Sequence, residues 1–315
     1  MEGENVSFPN TFVLLGFSEN PGLQIPLFAV VLIFHILTII GNSSIILLSM
    51  VEPRLHTPMY FFLGNLSLLD LCITCTIVPQ LLANLWGPEK TISSWGCITQ
   101  LYLFTWTGYT ECVLLAVMAY DRYVAICHPL RYSFIMHHWA CVWLVAVSWA
   151  SGLTNSLIQS TLTLQLPLCG HHTLDHFFCE MPALIKLACS DTTANDLSFI
   201  FGTIPFGVMA PILVLISYTL IARAVLKLPS VEGRHKAFST CSSHLVVVTM
   251  YFGPGTCMYI QPPSSSTNAK FLSLFYCVIT PLLNPLIYTL RNKDVKAAWK
   301  RILQPQRGRN ICEAR

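Results

Sequence analysis

Long apolar stretches alternate with short polar segments along the whole chain. Seven of these stretches are at least about 20 residues long, the length that a helix needs to cross the hydrocarbon core of a bilayer. They cover approximately residues 24–50, 58–86, 94–127, 139–161, 197–226, 237–260 and 271–290. Backbone in lipid must satisfy its own hydrogen bonds, and the short alternating strands of a membrane barrel are not found. The pattern therefore predicts an all-α membrane protein, a seven-transmembrane helix bundle over residues 24–290.

Composition and charge agree with this prediction and orient the chain. The 315 residues are 54% hydrophobic and only 10% charged, with a mean hydropathy of +0.59. If the chain begins outside the cell, fifteen of its 18 Lys and Arg residues fall on the inner side of the membrane. The positive-inside rule then predicts that residues 1–23 are extracellular and that residues 291–315 form a cytoplasmic tail. No signal-peptide pattern precedes the first span, so we expect that span itself to direct insertion.

Two features lie outside the predicted spans. Residues 292–303 place apolar and basic side chains at helical spacing, which predicts a short amphipathic helix, helix 8, on the membrane surface. Asn5, followed by Val6 and Ser7, matches the acceptor pattern for N-glycosylation in the extracellular segment. The sequence thus offers Asn5 as a glycosylation site.

The predicted extracellular segments contain four of the 13 cysteines, in a compartment where disulfides persist. They are Cys97, Cys169, Cys179 and Cys189. Four cysteines allow three pairings, and the residues alone do not choose among them. The loop after the fourth span also carries His171, His172 and His176. Such density suits a soft or borderline metal ion, and the alternative is a solvent-exposed polar loop.

Two acids, Asp70 and Glu111, lie deep within the second and third spans. A carboxylate inside a membrane is costly and by default indicates a functional site. Two carboxylates that face one cavity repel each other unless a cation or a shared proton lies between them. A protonated, hydrogen-bonded structural pair is therefore the alternative to an ion site.

Two other classes of protein fit the sequence less well. A channel or transporter could use Asp70 and Glu111 as ion ligands, but it should show internal repeats or broken helices in matching halves, and none are found. An intramembrane enzyme needs a positioned nucleophile and base or a metal cluster, yet no HExxH or GxSxG motif is present. The sequence therefore favours a molecular switch over a catalyst.

One face of the third span suggests a ligand pocket. At helical spacing in its outer half it presents Leu101, Phe104, Thr105, Gly108, Tyr109 and Cys112. No carboxylate lies among them, so an amine ligand would lack its counter-ion. A small apolar ligand with one or two hydrogen-bonding groups fits better. The alternative is ordinary helix packing, with Gly108 allowing close approach.

The run from Met118 to Cys127 places Asp121 and Arg122 at the inner end of the third span. Alone, these charges could simply end a helix at the lipid headgroups. They occur with four further motifs, at residues 55–60 (LHTPMY), 217–218 (SY), 236–244 (KAFSTCSSH) and 281–288 (PLLNPLIY). Together the motifs resemble an odorant receptor of the rhodopsin-like G-protein-coupled family, over essentially the whole chain.

The resemblance implies the disulfides and the signalling residues. Cys97 is expected to pair with Cys179 and Cys169 with Cys189. Arg122 is expected to contact the G protein, held by Asp121 at rest and released on activation. The implied active-state partners of the arginine are Tyr218 and Tyr288. The implied transducer in the plasma membrane is the olfactory stimulatory G protein, which raises cAMP. Neither an enzymatic activity nor a nucleic-acid partner is expected.

The resemblance also implies a pocket for a small volatile odorant. Its expected residues are Phe104, Thr105, Gly108, Tyr109, Met181, Gly202, Phe206, Tyr251, Phe252, Gly255, Tyr259 and Cys277. Many family members carry Phe-Tyr-Gly in the sixth helix, where this chain has Tyr251, Phe252 and Gly253, so the hydroxyl moves about 100° round the helix. No cofactor is expected except a sodium ion at Asp70 and Glu111, near Asn42 and Asn284.

Overall fold

A computed structural model describes residues 9–17, 21–227, 230–260 and 267–291 together with positions 295 and 297. Seven long helices occur in this part of the chain. They are α1 (Pro21–Val51), α2 (Pro58–Trp86), α3 (Ser94–Cys127), α4 (His138–Leu164), α5 (Thr193–Leu226), α6 (Val231–Ile260) and α7 (267–291). Asn5, the side chain of Tyr259 and, apart from positions 295 and 297, the predicted amphipathic helix lie outside the described residues.

Six of the helices are long and apolar enough to cross a membrane, counting only the described residues. Helix α6 is not among them, because polar residues such as Ser243 and His244 and the helix breaker Pro254 interrupt its apolar run. Several helices also begin before the apolar stretches that predicted them, by the widest margins α5 at Thr193, α6 at Val231 and α7 at residue 267. Polar residues can continue a helix beyond the hydrocarbon core, where water and headgroups satisfy their side chains. The prediction of an all-α, membrane-spanning bundle is confirmed.

Helix α3 lies at the centre of the bundle and contacts α2, α4, α5 and α6. Its side chains Leu114, Leu115 and Met118 are fully buried. Helix α4 approaches α3 closely at Gly152, where a Cβ atom would collide with Thr110. Small residues commonly allow such contacts between membrane helices, because lipid offers no hydrophobic force to bring them together. The tight α3–α4 contact fixes how α4 faces the interior.

A small three-stranded sheet covers one end of the bundle, called here the sheet end. Strand β1 (Thr11–Leu14) pairs antiparallel with β2 (Thr91–Ser93) and parallel with β3 (Thr173–Leu174), in the order β2-β1-β3. Phe12 and Leu14 of β1 are fully buried beneath it. The sequence pattern did not predict this sheet, since strands of two to four residues are too short to show an alternating signal.

Two disulfides hold the sheet end together. Cys97 at the start of α3 is bonded to Cys179, and Cys169 is bonded to Cys189. These are the pairs that the family resemblance implied. The first bond attaches the long loop between α4 and α5 to the central helix. The residues next to Cys179 are thereby held over the middle of the bundle.

Two helices widen locally where they border the interior. Helix α5 contains a π-helical turn at Ile204–Met209, and α7 contains one at Phe275–Ile279. Such turns occur frequently at functional sites, because the extra residue changes the direction of the side chains. The first carries buried Phe206 and the second carries Tyr276.

Candidate functional site

A chain of hydroxyl groups joins α3, α6 and α7 in the interior. The Tyr276 hydroxyl donates to the Tyr251 hydroxyl at 2.8 Å, which donates to the Gly108 carbonyl oxygen at 2.6 Å. The sulfur of Cys112 lies 3.4 Å from the same Tyr251 oxygen. A Cβ atom at Gly108 would lie 3.4 Å from the Tyr276 hydroxyl, so the glycine leaves room for the tyrosines. The displaced hydroxyl of Tyr251 therefore faces the central helix.

Aromatic rings surround this polar chain. Phe104 of α3 packs edge-on against Phe178 of the long loop, with ring centroids 4.8 Å apart. Tyr109 packs on Phe206 of α5 at 4.7 Å. Phe252 packs against Tyr251 at 5.1 Å. One region between α3, α5 and α6 is thus bordered by five residues expected in the odorant pocket: Gly108, Tyr109, Phe206, Tyr251 and Phe252. Phe104 contacts this region through Tyr276, with ring centroids 6.0 Å apart.

The other expected pocket residues lie in different surroundings. Met181 packs in the cluster beneath the sheet, with Phe12 and Leu14. Cys277 lies in a cluster between α1, α2 and α7. Thr105 is buried on α3, and a Cβ atom at Gly255 would meet no atom within 4 Å.

Three residues that the sequence reasoning did not single out border the same region. Tyr276 joins the hydroxyl chain, and Asn155 and Gln159 project from α4 towards α5. A Cβ atom at Gly202 would collide with the Gln159 amide nitrogen and lie 2.8 Å from the Asn155 oxygen. Gly202, expected in the pocket, therefore makes room for these amides. Two amides four residues apart in an apolar helix were the signal that could have found them.

The two intramembrane acids, Asp70 and Glu111, lie near each other in the interior of the bundle. Both carboxylate oxygens of Asp70 accept from the Asn284 amide, at 3.1 and 3.0 Å. Glu111 is close enough to Asp70 for their charges to interact. Its Oε1 is buried without a hydrogen-bond partner among the described residues, as is Oδ1 of Asn42. The Asn42 amide nitrogen is already engaged, donating to the Pro281 carbonyl at 3.0 Å.

The end of α3 that lies away from the sheet carries an ionic network. Asp121 is fully buried and accepts from Arg122, whose Nε lies 3.0 Å away. The Tyr132 hydroxyl, in the short helix Tyr132–Ile135, donates to the other carboxylate oxygen at 2.8 Å. Partial burial, and next to it the Asp121 carboxylate, raise the pKa of Tyr132, so this phenol stays protonated and donates. The arrangement holds Arg122 against its own helix.

Two tyrosines expected to meet Arg122 in the active state have other surroundings here. Tyr218 of α5 lies 2.7 Å from Nδ1 of His244 in α6, measured from its hydroxyl oxygen. The Tyr288 hydroxyl is buried and makes no hydrogen bond within the described residues. The sequence alone indicates no role for His244, the last residue of the motif at 236–244. The contact links α5 to α6 directly beside Arg122.

An ion pair connects the long loop to α7 at the sheet end. Lys270, almost entirely buried, donates to Asp175 at 2.5 Å. The adjacent His176 stacks on Phe177 and meets Phe178 edge-on, with ring centroids 4.6 and 4.8 Å away. Burial lowers the pKa of His176. The loop is therefore fastened over the interior at both the disulfide and the ion pair.

The histidines of the loop between α4 and α5 suggested either a metal site or a polar loop, and their positions do not support the metal site. Within the described residues, no group of three or more His, Cys, Asp or Glu side chains could hold a metal ion. His171 and His172 are exposed, whereas His176 is buried between aromatic rings.

Comparison with known proteins gives a consistent family assignment. A sequence model described as "Olfactory receptor" matches residues 30–306. Olfactory receptor 2C1 of Mus musculus is 56% identical over 311 residues, covering 98% of this chain and 99% of that protein. Olfactory receptor 2C3 of Homo sapiens is 56% identical over 310 residues, covering 96% and 95%. Olfactory receptor 2B2 of Homo sapiens is 55% identical over 305 residues, covering 96% and 85%.

Proposed function

The chain belongs to the olfactory receptor family, and we propose that it binds small, mostly apolar volatile odorants inside the helix bundle and activates a stimulatory heterotrimeric G protein that raises cAMP. Membership of this family makes it a multi-pass membrane receptor and not an enzyme. The proposal includes an extracellular sheet end and a cytoplasmic Arg122 end, supported by the distribution of Lys and Arg.

The composition of the interior supports a weakly bound, mostly apolar ligand. Phe104, Tyr109, Phe206 and Phe252 offer aromatic surface, and the polar groups between them are hydroxyls and amides. Burying about eight CH₂ groups at roughly 0.8 kcal/mol each gives about 6 kcal/mol, which corresponds to binding in the tens of micromolar. Such a ligand shifts the receptor only by its differential affinity for the active state.

The ionic network at Arg122 is the observation that carries the proposal of G-protein coupling. The half-buried Arg122 is held by Asp121, and indirectly by Tyr132, beside the cytoplasmic end of α3. Breaking these hydrogen bonds would free the guanidinium to meet a partner protein. The Tyr218–His244 contact lies next to it and joins the two helices that would have to separate.

We also infer that a sodium ion binds at Asp70 and Glu111. Hard cations prefer oxygen ligands, and the buried, unpartnered Oε1 of Glu111 and Oδ1 of Asn42 are oxygens of this kind. Asp70 would add a carboxylate already oriented by Asn284. When bound, the ion would neutralise negative charge that is costly inside a membrane.

The test uses cells that carry the olfactory stimulatory G protein and a cAMP reporter, exposed to a chemically diverse panel of volatiles. We expect at least one volatile to raise cAMP, and Arg122→Ala to abolish that response at equal surface expression. Arg131→Ala is the matched control, because Arg131 is exposed in a neighbouring turn. A full response in Arg122→Ala would contradict the proposal, and ion current through purified receptor in liposomes would favour a channel.

A further inference from the structure

Helix α4 directs two amide side chains towards α5 and α3. Gln159 is almost completely buried, and its amide nitrogen donates to the Ser198 carbonyl of α5 at 2.5 Å. Gly202, one turn further along α5, lacks the side chain that would collide with that amide. Gln159 thus fixes the distance and rotation of α4 relative to α5. Asn155, one turn away on the same face of α4, is placed by this anchor.

Asn155 is held in the interior with an unused hydrogen-bond donor. Its amide oxygen lies against α5 at Gly202, while its amide nitrogen is shielded from solvent and has no hydrogen-bond partner among the described residues. A buried donor without an acceptor destabilises the protein, and lipid offers no water to satisfy it. A hydrogen-bond acceptor supplied from elsewhere would remove that cost.

Tyr109 presents a second donor beside the same amide. Its hydroxyl interacts with the Asn155 side chain and lies 3.5 Å from the Thr203 hydroxyl of α5, at the outer limit of a hydrogen bond. Its ring packs on Phe206, which belongs to the aromatic region described above. Tyr109 of α3 and Asn155 of α4 therefore converge with Thr203 of α5, and the Asn155 amide nitrogen has no acceptor with hydrogen-bond geometry among the described residues.

We propose that Asn155 and Tyr109 form a polar subsite that binds the carbonyl oxygen of an odorant, so that the receptor selects ketones, aldehydes or esters. The carbonyl oxygen has two lone pairs and accepts from the amide nitrogen and the phenol together. Its carbon chain extends along Phe206 towards the hydroxyl chain of Tyr251. The inference rests on the proposed function, because it assigns a chemical class to the ligand of the same pocket.

Gln159 is a positioning residue in this arrangement and has no contact with the ligand. Its hydrogen bond to Ser198 orients Asn155, so its loss should weaken carbonyl and non-carbonyl ligands alike by misplacing α4. Loss of Asn155 or Tyr109, in contrast, should weaken carbonyl ligands more than non-carbonyl ligands. This distinction separates recognition from packing.

The test measures cAMP half-maximal concentrations for carbonyl volatiles and for their isosteres in which C=CH₂ replaces C=O. In the wild type we expect the carbonyl compound to be about tenfold more potent, the usual cost of leaving a buried donor unpaired. Asn155→Leu, which has nearly the same shape, should reduce the ratio to about one. Tyr109→Phe should reduce it in part, and it decides the question if Asn155→Leu does not reach the cell surface. Asn84→Leu, which removes a buried amide near the end of α2, should leave the ratio unchanged.

The outcomes separate this inference from the proposed function. If agonists are found but their isosteres are equally potent, or if the ratio survives in both variants, the carbonyl subsite is wrong and the receptor function stands. A ratio that is lost equally in Asn84→Leu also overturns the subsite. If no volatile raises cAMP in cells with verified surface receptor, the proposed function fails and the subsite fails with it.

Discussion

The hydroxyl of Tyr251 on α6 donates a 2.6 Å hydrogen bond to the carbonyl oxygen of Gly108 on α3. Tyr276 of α7 donates to the same hydroxyl, so one tyrosine connects three helices. The bond exists because this chain places the hydroxyl at position 251 and phenylalanine at 252, so the phenol points at α3. A ligand beside Gly108 would adjoin a contact between α3 and α6.

Tyr251→Phe should raise basal signalling. The substitution removes the donor to Gly108 and keeps the ring, and a neutral buried hydrogen bond contributes about 1 kcal/mol, or roughly a fivefold shift in a two-state equilibrium. We therefore expect basal cAMP per surface receptor to increase up to about fivefold. Tyr102→Phe is the control, since the Tyr102 hydroxyl contacts Thr161 of α4, 2.7 Å away, and does not reach α6. Unchanged basal cAMP in Tyr251→Phe would show that the contact does not restrain activation.

Tyr132→Phe should also raise basal activity, by a different route. It removes the hydrogen bond to Asp121 while leaving the Arg122 pair in place. Hydrogen bonds to charged groups contribute about 1.5–3 kcal/mol, although partial exposure of Tyr132 reduces this. We expect a rise in basal cAMP smaller than that of Asp121→Asn. Tyr123→Phe provides the comparison, because the Tyr123 hydroxyl contacts His128 at 3.1 Å instead. Equal effects of Tyr123→Phe and Tyr132→Phe would refute a specific role for the Asp121 contact.

The bundle could be predicted because lipid imposes a simple rule on the chain. Each apolar stretch must be a helix, and the third one matches α3 at both ends. The sheet could not be predicted, since β1 depends on partners at Thr91–Ser93 and Thr173–Leu174, far away in sequence. The early starts of α5 and α6 could not be predicted either. Their first residues are mostly polar and show no apolar signal of their own, and they are helical because they extend the apolar helix that follows.

The candidate site also contains residues that the sequence predicts and residues that it does not. Phe104, Gly108 and Tyr109 share a face of α3, which helical spacing alone predicts. Asn155 and Tyr276 were not predicted, because their role depends on contacts with other helices, which no local sequence pattern indicates. The π-helical turn at Phe275–Ile279 also changes which α7 side chains face the interior, so regular helical spacing does not predict the inward position of Tyr276.

Asp70→Asn should reduce the effect of sodium on signalling. It removes a charge from the pair with Glu111, and a neutral amide attracts a cation far less. We expect agonist potency to lose its dependence on external sodium when measured with choline as the replacement cation. Glu111→Gln should act similarly. Asn65→Leu, which removes an α2 amide that accepts from Trp149 of α4 at 3.3 Å and makes no hydrogen bond to either acid among the described residues, should keep the wild-type sodium response. Sodium dependence that persists in both acid variants would exclude the ion site.

The two disulfides should differ in importance. In the chain-entropy description, a crosslink over 82 residues stabilises by about 4.5 kcal/mol and one over 20 residues by about 3 kcal/mol. The Cys97–Cys179 bond also attaches the loop to α3. We expect the double substitution Cys97→Ser with Cys179→Ser to lower surface expression more than Cys169→Ser with Cys189→Ser. Flow cytometry of an epitope-tagged receptor measures this, and the reverse order would contradict the assignment of the first bond as the main attachment.

Mild acid should destabilise the loop between α4 and α5 by protonating His176. Because burial lowers its pKa in the folded protein, the unfolded chain binds the proton first, below about pH 6.5. The contribution of His176 to the free energy of unfolding is therefore constant above that pH, and it falls as the pH decreases towards the lowered pKa. Glu180 and Asp175 favour the protonated ring and Lys270 opposes it, without reversing the shift. We expect the melting temperature of purified receptor to fall between about pH 6.5 and pH 5, and His176→Phe to remove most of that fall because phenylalanine keeps the ring stack without a proton to bind. His172→Phe, at an exposed position, should retain it. A pH profile of His176→Phe that matches the wild type would assign the acid sensitivity to another group.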